Sequence, residues 1–264
     1  MLSSAVRIGL VEPPQLRSQT GFAIEVERVS KRFRRYTYRH ESLKSQVVGW
    51  LKGRGNEYDE FDVVKEVSFS IPHGQMVAVI GRNGAGKTTL LRVLAQILDP
   101  DAGSIRVSGR VVPLLELGAG FATELSGRKN VYLYGALLGL SRHELKERYE
   151  AIVDFSGIRD FMETPIKHYS SGMLVRLAFA VAAQVDPDVL LLDEVLAVGD
   201  AEFQMKCLER IAEFRHAGKT IVLVTHALAS YATTVDRALL IDHGALLEDG
   251  PPARVLDAYQ RLLA

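Results

Sequence analysis

Long apolar runs, cysteines and an excess of charge of one sign are what this sequence lacks. A helix needs about 18 apolar residues to span a bilayer, and no apolar run in the sequence approaches that length. Lys and Arg total 32, as do Asp and Glu, and this zero net charge argues against bulk binding of nucleic acid. The single cysteine, Cys207, excludes an intrachain disulfide and is typical of a reducing compartment. We expect it to be a small core or surface residue and not a nucleophile.

Internal repeats, low-complexity tracts and a targeting segment are also missing from the sequence. Residues 1–20 have no charged lead before an apolar block, and we predict a flexible N-terminal extension instead of a signal peptide. One basic and aromatic cluster, KRFRRYTYRH at 31–40, is either a solvated strand edge or a contact with phosphates or a membrane surface. With 47% apolar and 24% charged residues among 264, the composition is typical of a globular protein.

Short apolar runs that alternate with helical patterns predict an α/β fold. Runs such as VLLL and IVLV are apolar throughout, which is typical of strands buried on both faces of a parallel sheet. The earlier run VVKEVSFSI alternates and favours an antiparallel sheet with one solvated face. The candidate strands are 22–29, 63–71, 76–80, 104–107, 111–117, 189–192, 220–224, 238–241 and 245–248.

The middle of the chain, about residues 123–185, predicts an inserted helical subdomain. Ser141 and Glu144 have the spacing of a capping box, and Leu145, Tyr149 and Ile152 then recur at helical spacing. Residues 41–53 predict a further amphipathic helix, inserted between the first two strands and too short to span a membrane. We therefore expect one domain over residues 21–255 and a C-terminal tail over 256–264.

The segment GRNGAGKT at 81–88 fits the phosphate-loop pattern G-x-x-x-x-G-K-[ST]. It follows the strand MVAVI and opens the helical pattern TTLLRVLAQIL, which is the context that this motif requires. Lys87 is expected to reach the β- and γ-phosphates, and the Thr88 hydroxyl is expected to ligate Mg²⁺. The expected nucleotide contacts here are Gly81, Arg82, Asn83, Gly84, Ala85, Gly86, Lys87, Thr88 and Thr89.

Two further strand ends carry polar residues suited to phosphate chemistry. VLLLDE ends a buried strand in Asp193, whose carboxylate needs a cation such as Mg²⁺ near Thr88, and in Glu194, which can polarise an attacking water. TIVLVTH ends another strand in His226, which either holds the γ-phosphate or the water, or is a hydrogen-bonded core residue.

A second candidate phosphate corner is YSSGM at 169–173. Ser170, Ser171 and Gly172 stand directly ahead of an apolar helical pattern, and a helix start offers free N–H groups and the positive end of the helix dipole. This corner has no lysine, unlike the loop at 81–88. The residues alone leave open why one chain carries both.

The phosphate loop, YSSGM, LLLDE and the strand-ending histidine occur in the order found in the nucleotide-binding subunits of ABC transporters. The chain resembles such a subunit over residues of about 22–255. The resemblance implies a P-loop domain with a RecA-like core, an antiparallel β subdomain and an inserted helical subdomain. It also implies ATP and Mg²⁺ as cofactors and a head-to-tail homodimer, in which Ser170, Ser171 and Gly172 cap the ATP of the partner chain.

The resemblance assigns three more residues. Asp200, in AVGD, corresponds to the aspartate of the dimer-bridging loop, and Phe33 falls where the family stacks an aromatic ring on adenine, with Tyr36 as the alternative. Glu116 occupies the place of a glutamine that contacts Mg²⁺ or water in the family. The usual signature reads LSGGQ, and this sequence has Ser171 in place of the first glycine of the pair and Met173 in place of the glutamine.

A narrower resemblance concerns the ATPases that export bacterial surface polysaccharides. It rests on DEVLAVGDAEFQMKC, on LLELGAGFATELSGRKNVYLYGALLGL and on the spelling YSSGM. It implies a transport-coupled ATPase on the cytoplasmic face of the inner membrane, which works with an integral membrane permease and moves a lipid-linked glycan such as O-antigen. The 41–53 helix then either guides that glycan or packs on its own domain.

Other functions remain open from the sequence. The chain is alternatively a teichoic acid or capsule exporter subunit, or a soluble ABC-type ATPase of DNA repair or translation. The soluble class usually has two cassettes or a coiled-coil insertion and a basic surface, whereas this chain has one cassette and no net charge. A nucleotide sensor that does not hydrolyse ATP is disfavoured by Glu194.

Overall fold

The computed structural model describes residues 21–36, 58–115, 117–193 and 200–263, and in these ranges it contains nine strands and seven α-helices. The strands are β1 (Phe22–Tyr36), β2 (Tyr58–Pro72), β3 (Met76–Ile80), β4 (Ala102–Val107), β5 (Val111–Leu114), β6 (Val189–Asp193), β7 (Thr220–Val224), β8 (Arg237–Asp242) and β9 (Ala245–Gly250). The helices are α1 (Lys87–Leu94), α2 (Gly127–Leu137), α3 (Arg142–Ser156), α4 (Ser171–Ala182), α5 (Ala201–His216), α6 (Leu228–Tyr231) and α7 (Pro252–Leu263).

The strands form two sheets, as the two kinds of sequence pattern predict. The small sheet is antiparallel and has the order β2-β1-β4. The large sheet has the order β5-β6-β7-β3-β8-β9, parallel except at the β8–β9 pair. The carboxyl ends of β6, β7 and β3 are therefore adjacent, with β7 in the middle, and loops that follow these strands meet at one edge of the sheet.

Alternate residues along the strands of the large sheet belong to two separate apolar cores. On β3, Ala78 and Ile80 pack into the core shared with the helices that follow β5, whereas Val77 and Val79 pack against α1 and the antiparallel sheet. Each strand is buried on both faces, so its sequence is apolar throughout instead of alternating. This explains why the runs VLLL and IVLV predicted these strands correctly.

Helices α2, α3 and α4 lie within the region that the sequence predicts to be helical. Helix α3 begins at the predicted capping box: the Ser141 hydroxyl accepts the N–H of Glu144 at 3.2 Å, and the Glu144 carboxylate accepts the N–H of Ser141 at 2.8 Å. The helix ends at Gly157, whose φ of 65° is the left-handed conformation that favours glycine at a helix terminus. Leu145, Tyr149 and Ile152 are buried, as expected.

The strands β1 and β2 extend further than the sequence pattern predicts, and residues 252–263 form a helix that includes most of the predicted C-terminal tail. Helix α7 buries Val255 completely and packs Leu256, Tyr259 and Leu262 against the core. The described ranges contain no helix that is both long and apolar enough to cross a bilayer. Residues 1–20 and the predicted helix at 41–53 lie outside the described residues.

Candidate functional site

The loop at 81–86 joins β3 to α1 and is closed in by backbone on two sides. Gly81 has a φ of 153° and Gly86 a φ of 103°, both unfavourable for residues with side chains. A Cβ on Gly81 would lie 1.9 Å from the carbonyl oxygen of Ile241, and one on Gly86 would lie 2.4 Å from that of Val63. Only glycine fits at either position, so the loop is fixed between β2 and β8.

Lys87 is the first residue of α1, and its side chain turns back into this loop. The residue is buried, and its ammonium donates hydrogen bonds to the carbonyl oxygens of Gly81 at 2.9 Å and Arg82 at 3.0 Å. The α1 N-terminus has no side-chain cap, so its first N–H groups point toward the loop interior. A buried ammonium beside a helix N-terminus is a cradle for an anion with several oxygens, such as the phosphates of a nucleotide.

Thr88 and Asp193 lie in contact although 105 residues separate them in the sequence. The Thr88 hydroxyl donates a hydrogen bond to a carboxylate oxygen of Asp193 at 2.8 Å. Hydroxyl and carboxylate oxygens are the donors that Mg²⁺ prefers, and Mg²⁺ is usually held by one or two protein oxygens together with phosphate oxygens. The donor set therefore fits Mg²⁺ next to a phosphate held by Lys87.

His226 follows β7, the strand between β3 and β6. Thr225 is buried, its N–H donates to the carbonyl oxygen of Val79 at 3.2 Å, and its hydroxyl accepts the N–H of Ala227 at 3.0 Å. These bonds fix the turn on both sides of His226, whose side chain is exposed at the same sheet edge as the loop and Asp193. The exposure rules out the alternative that His226 is a core residue.

The YSSGM segment forms the start of α4 in the helical subdomain. Ser170 is the N-cap, and its hydroxyl accepts the N–H of Met173 at 3.2 Å. Ser171 is exposed and Gly172 is half-buried. This helix start therefore presents small polar residues to the surface, whereas the start of α1 is enclosed in its loop.

The side chain of Tyr169 holds this segment in place. Its hydroxyl donates to the carbonyl oxygen of Phe161 at 2.7 Å, and burial raises the pKa of the Tyr169 phenol to about 12. The hydroxyl occupies space that only a glycine leaves free, because a Cβ on Gly127 would lie 2.2 Å from it. The phenol thus ties the start of α4 to the preceding turn.

Asp200 caps the N-terminus of α5 and also pairs with α4. One carboxylate oxygen accepts the N–H of Phe203 at 3.0 Å, and the other accepts the Arg176 guanidinium in an ion pair. The guanidinium lies 5.2 Å from the centre of the Phe203 ring. Arg176 thereby connects the signature helix to the predicted dimer-bridging residue. The sequence analysis missed Arg176, although a single charge within the otherwise apolar stretch after YSSGM was a usable signal.

Asn130 is a second residue that the sequence analysis missed. It is fully buried; its side-chain oxygen accepts the N–H of Ala122 at 2.8 Å, and its amide donates to the carbonyl oxygens of Ala122, Leu125 and Ser126 at 3.0–3.1 Å. All of its hydrogen-bonding groups hold the loop that precedes α2. Nothing in the one-dimensional pattern distinguishes this asparagine from a surface residue.

Three predicted residues cannot be placed in this geometry. Glu194 and Glu116 lie outside the described residues, as does the side chain of Tyr36. Phe33 is half-buried on β1.

Cys207 is buried, and this burial raises the pKa of its thiol to about 12, which is consistent with a packing role and not with a nucleophile.

The sheet order, the glycine-rich loop and the Thr88–Asp193 contact define an α/β domain of the P-loop nucleotide-binding class. A family model described as ABC transporter matches residues 64–197. The chain belongs to the ABC transporter family, as the sequence motifs predicted. Its fold is that of the family's ATP-binding domain, which confirms the predicted fold class.

Curated relatives refine this assignment. An O-antigen export system ATP-binding protein, RfbB, from Myxococcus xanthus is 42% identical over 92% of this chain and 56% of its own length. The RfbB of Klebsiella pneumoniae is 45% identical over 81% of this chain and 85% of its own. A teichoic acids export ATP-binding protein, TagH, from Bacillus anthracis is 33% identical over 92% of this chain and 43% of its own. The chain thus spans little more than half the length of the Myxococcus relative.

Two solved structures share the fold. The structure of an ATP-binding subunit of an ABC transporter superposes with a TM-score of 0.69 at 22% identity, covering 90% of this chain and 93% of that one. A dimeric, post-hydrolysis structure of the ATP-binding cassette MJ0796 bound to ADP and Pi superposes with a TM-score of 0.67 at 18% identity, covering 87% of this chain and 98% of that one. At these identities the likeness concerns the fold alone.

Proposed function

We propose that the chain is the ATP-hydrolysing subunit of an exporter that moves a lipid-linked polysaccharide of the O-antigen class across the bacterial inner membrane. The observation that carries this proposal is the 42–45% identity to O-antigen export ATP-binding proteins over 81–92% of the chain. The arrangement of Lys87, Thr88 and Asp193 supports the ATP-hydrolysing part of it, because these residues fit the phosphates and metal of a nucleoside triphosphate.

In this proposal the loop at 81–89 holds the ATP phosphates through its N–H groups, and the Lys87 ammonium neutralises charge on the β- and γ-phosphates. Thr88 and Asp193 would hold Mg²⁺, with Glu116 as a further oxygen ligand, and the bound ion would supply neutralisation of the developing negative charge. Glu194 would accept a proton from the attacking water, His226 would hold the γ-phosphate or that water, and Phe33 would stack on the adenine. The products are ADP and inorganic phosphate.

The second phosphate corner is proposed to act on the partner subunit of a homodimer. Ser170 and Ser171 are exposed at an open helix start, which suits a γ-phosphate delivered by a second chain. Gly172 would let that phosphate approach the backbone, and Asp200 would lie at the dimer contact, held by Arg176. A solved relative of the same fold is a dimer. This arrangement explains why only the first corner has a lysine.

A separate integral membrane permease is the proposed partner, with the chain bound peripherally at the cytoplasmic face. The proposed docking surface is the region 114–130, which adjoins both the nucleotide site and the helical subdomain. Leu137 is half-exposed beside this region, and its side chain covers Gly120 so closely that a Cβ there would lie 2.6 Å from it. The hydrogen bonds of Asn130 keep the neighbouring loop in one shape, as a docking surface requires.

A teichoic acid exporter is the second candidate, and the 33% identity to TagH supports it. The higher identity to RfbB favours O-antigen as the glycan class. In both cases the glycan reaches the complex through its membrane subunit, and we propose no nucleic acid ligand.

The experiment that tests this function is a pull-down of tagged Glu194→Gln protein from detergent-solubilised native membranes in Mg-ATP. We expect one polytopic membrane protein in stoichiometric amount, and we expect deletion of its gene to remove a surface polysaccharide. The Lys87→Ala protein in the same buffer is the control for dependence on bound ATP. Recovery of soluble proteins or nucleic acid alone would refute the export function and favour a soluble ABC-type ATPase.

A further inference from the structure

The outer parts of β1 and β2 form a two-stranded ribbon with two different faces. On one face, Arg32 pairs with Asp62 at 2.8 Å and Arg34 pairs with Glu60 at 2.9 Å. These ion pairs lie directly across the ladder, so each basic residue of the sequence cluster at 32–34 has an acidic neighbour on β2. Arg32 and Arg34 are therefore neutralised within the ribbon, which does not favour a contact of these two arginines with phosphates or a membrane surface.

The opposite face carries two phenylalanines. Phe33 and Phe61 are direct cross-strand partners, with ring centres 6.3 Å apart and ring planes tilted by 33°. Phe61 is 48% exposed, and Lys31 lies 6.0 Å from the centre of the Phe33 ring while pairing with Asp101. The two adjacent aromatic rings form an apolar platform, and a planar ring system can pack against it.

This platform is continuous with the phosphate loop through β2. The carbonyl oxygen of Val63 lies against Gly86, the residue directly before Lys87, and a side-chain carbon of Val63 lies 3.6 Å from where a Gly86 Cβ would stand. Phe61 is two residues further along the same strand, about 7 Å away. The base of a nucleotide whose phosphates lie in the loop is therefore within reach of this part of the ribbon.

We propose that Phe61 is a second base-contacting residue, which together with Phe33 forms the surface on which the purine base of the bound nucleotide packs. The proposal rests on the proposed function, because it takes the loop at 81–89 as the phosphate site. The occupant is the adenine of ATP or ADP, since the charges on the other face of the ribbon are already paired and the exposed rings offer only apolar and π contact. Phe61 binds the base and takes no part in the hydrolysis step.

The test compares a ligand that has the base with one that lacks it. Titration calorimetry with ADP, and competition of inorganic pyrophosphate against labelled ADP, are carried out on wild-type protein and on Phe61→Ala. We expect the Kd for ADP to rise about fivefold to tenfold, the usual cost of losing one aromatic contact to a base, and the Kd for pyrophosphate to stay within about twofold. Phe61→Tyr keeps the ring and should restore ADP affinity.

A matched control is available in Phe161, which is 49% exposed but belongs to the helical subdomain. Phe161→Ala should leave both ligands unaffected. An unchanged ADP affinity in Phe61→Ala would overturn the inference and leave the proposed function intact, as would an equal loss for ADP and pyrophosphate, since that loss would act through the loop. Failure of the wild-type protein to bind ADP would instead overturn the proposed function and this inference with it.

Discussion

The helix starts at α1 and α4 offer the same backbone groups to an anion, yet they are built in opposite ways. At α1 the first N–H groups have no side-chain cap, glycines are closed in by the carbonyl oxygens of Val63 and Ile241, and Lys87 is buried in the loop. At α4 a serine of the chain itself caps the helix, and Ser170 and Ser171 face outward.

The α1 start therefore has the groups of a complete phosphate site, whereas the α4 start has only some of them. The α1 loop contains the Lys87 ammonium, and Thr88 next to it contacts Asp193 of β6, so this corner can hold phosphates within one chain. The α4 start has no cation of its own in the segment 169–173, and in the proposed dimer it would act on a nucleotide held by the partner chain. One chain needs both because the proposed reaction site is closed only when two chains meet.

Removal of Lys87 should have the largest effect on the α1 side. Lys87→Ala removes the ammonium that we propose neutralises the β- and γ-phosphates, and we expect ATP hydrolysis to fall by about 100-fold or more. Phosphate release under saturating Mg-ATP measures this. Hydrolysis within tenfold of the wild-type rate would mean that the loop does not bind phosphates as proposed, provided that thermal unfolding shows an intact fold.

Mixing two inactive chains tests whether the α4 start acts in trans. Lys87→Ala has a damaged loop and an intact α4 start, whereas Ser171→Arg fills the α4 start and leaves the loop intact. We expect each to be inactive alone and an equal mixture to regain about a quarter of the wild-type rate, because half of the dimers then contain one complete site of two. A mixture as inactive as its components would show that the α4 start acts on its own chain's nucleotide.

The Arg176–Asp200 pair should have a smaller effect, limited to the dimer. We expect Arg176→Ala to lower ATP hydrolysis by about tenfold, because Asp200 loses the contact that holds it, while the Kd for ADP stays unchanged. The coupling between the two residues in the free energy of unfolding should stay below about 1 kcal/mol, since the Asp200 side chain is 59% exposed. Arg159→Ala, which removes two surface ion pairs, with Glu150 and Asp154, is the matched control.

Loss of the α4 cap should lower stability in addition to any effect on ATP hydrolysis. Ser170→Ala removes the acceptor of the Met173 N–H and should lower the free energy of unfolding by about 1 kcal/mol, measured by urea denaturation. A drop well above that value would indicate that Ser170 supports more of the helical subdomain than its cap.

The capping box of α3 offers a contrast in pH dependence, because α4 has Met173 where α3 has Glu144. Hydrogen bonds from the Ser141 hydroxyl and backbone lower the pKa of Glu144 below its ordinary value near 4.5. The resulting stability is present above that value and is lost as the pH falls through the lower folded pKa. Ser141→Ala should raise the pKa of Glu144, as followed by its carboxyl NMR shift; an unchanged pKa would assign the shift to other groups.

The positions of the strands were predictable because burial on both faces leaves an uninterrupted apolar run. The strand ends were harder to predict. Strand β1 continues through Arg32 and Arg34, which pair with acidic residues of β2 that are 26–30 residues away in the sequence. Helix α7 was not predicted, although Val255, Leu256 and Tyr259 recur at helical spacing, because most of it lies beyond residue 255, where the family resemblance ends.

The candidate site also has residues that were predictable from the sequence and residues that were not. The loop at 81–88 is contiguous and could be recognised as a motif, and the Thr88–Asp193 contact follows from strand order. Arg176, Asn130 and Phe61 were missed because each acts through a partner that is distant in the sequence or through backbone groups that no residue pattern records. The trans role of Ser171 stays a prediction, since one chain contains only half of the contact.

The close approach of Tyr169 to Gly127 has a consequence for how this signature segment can change over generations. An alanine at 127 ordinarily favours a helix, but here its methyl group would meet the phenol, so the substitution is harmful while the tyrosine remains. If Tyr169 is first replaced by leucine, as in the usual signature, an alanine at 127 is acceptable. A later return to tyrosine would then clash with that alanine. The order in which residues 127 and 169 change therefore decides which sequences the signature segment can adopt without a clash.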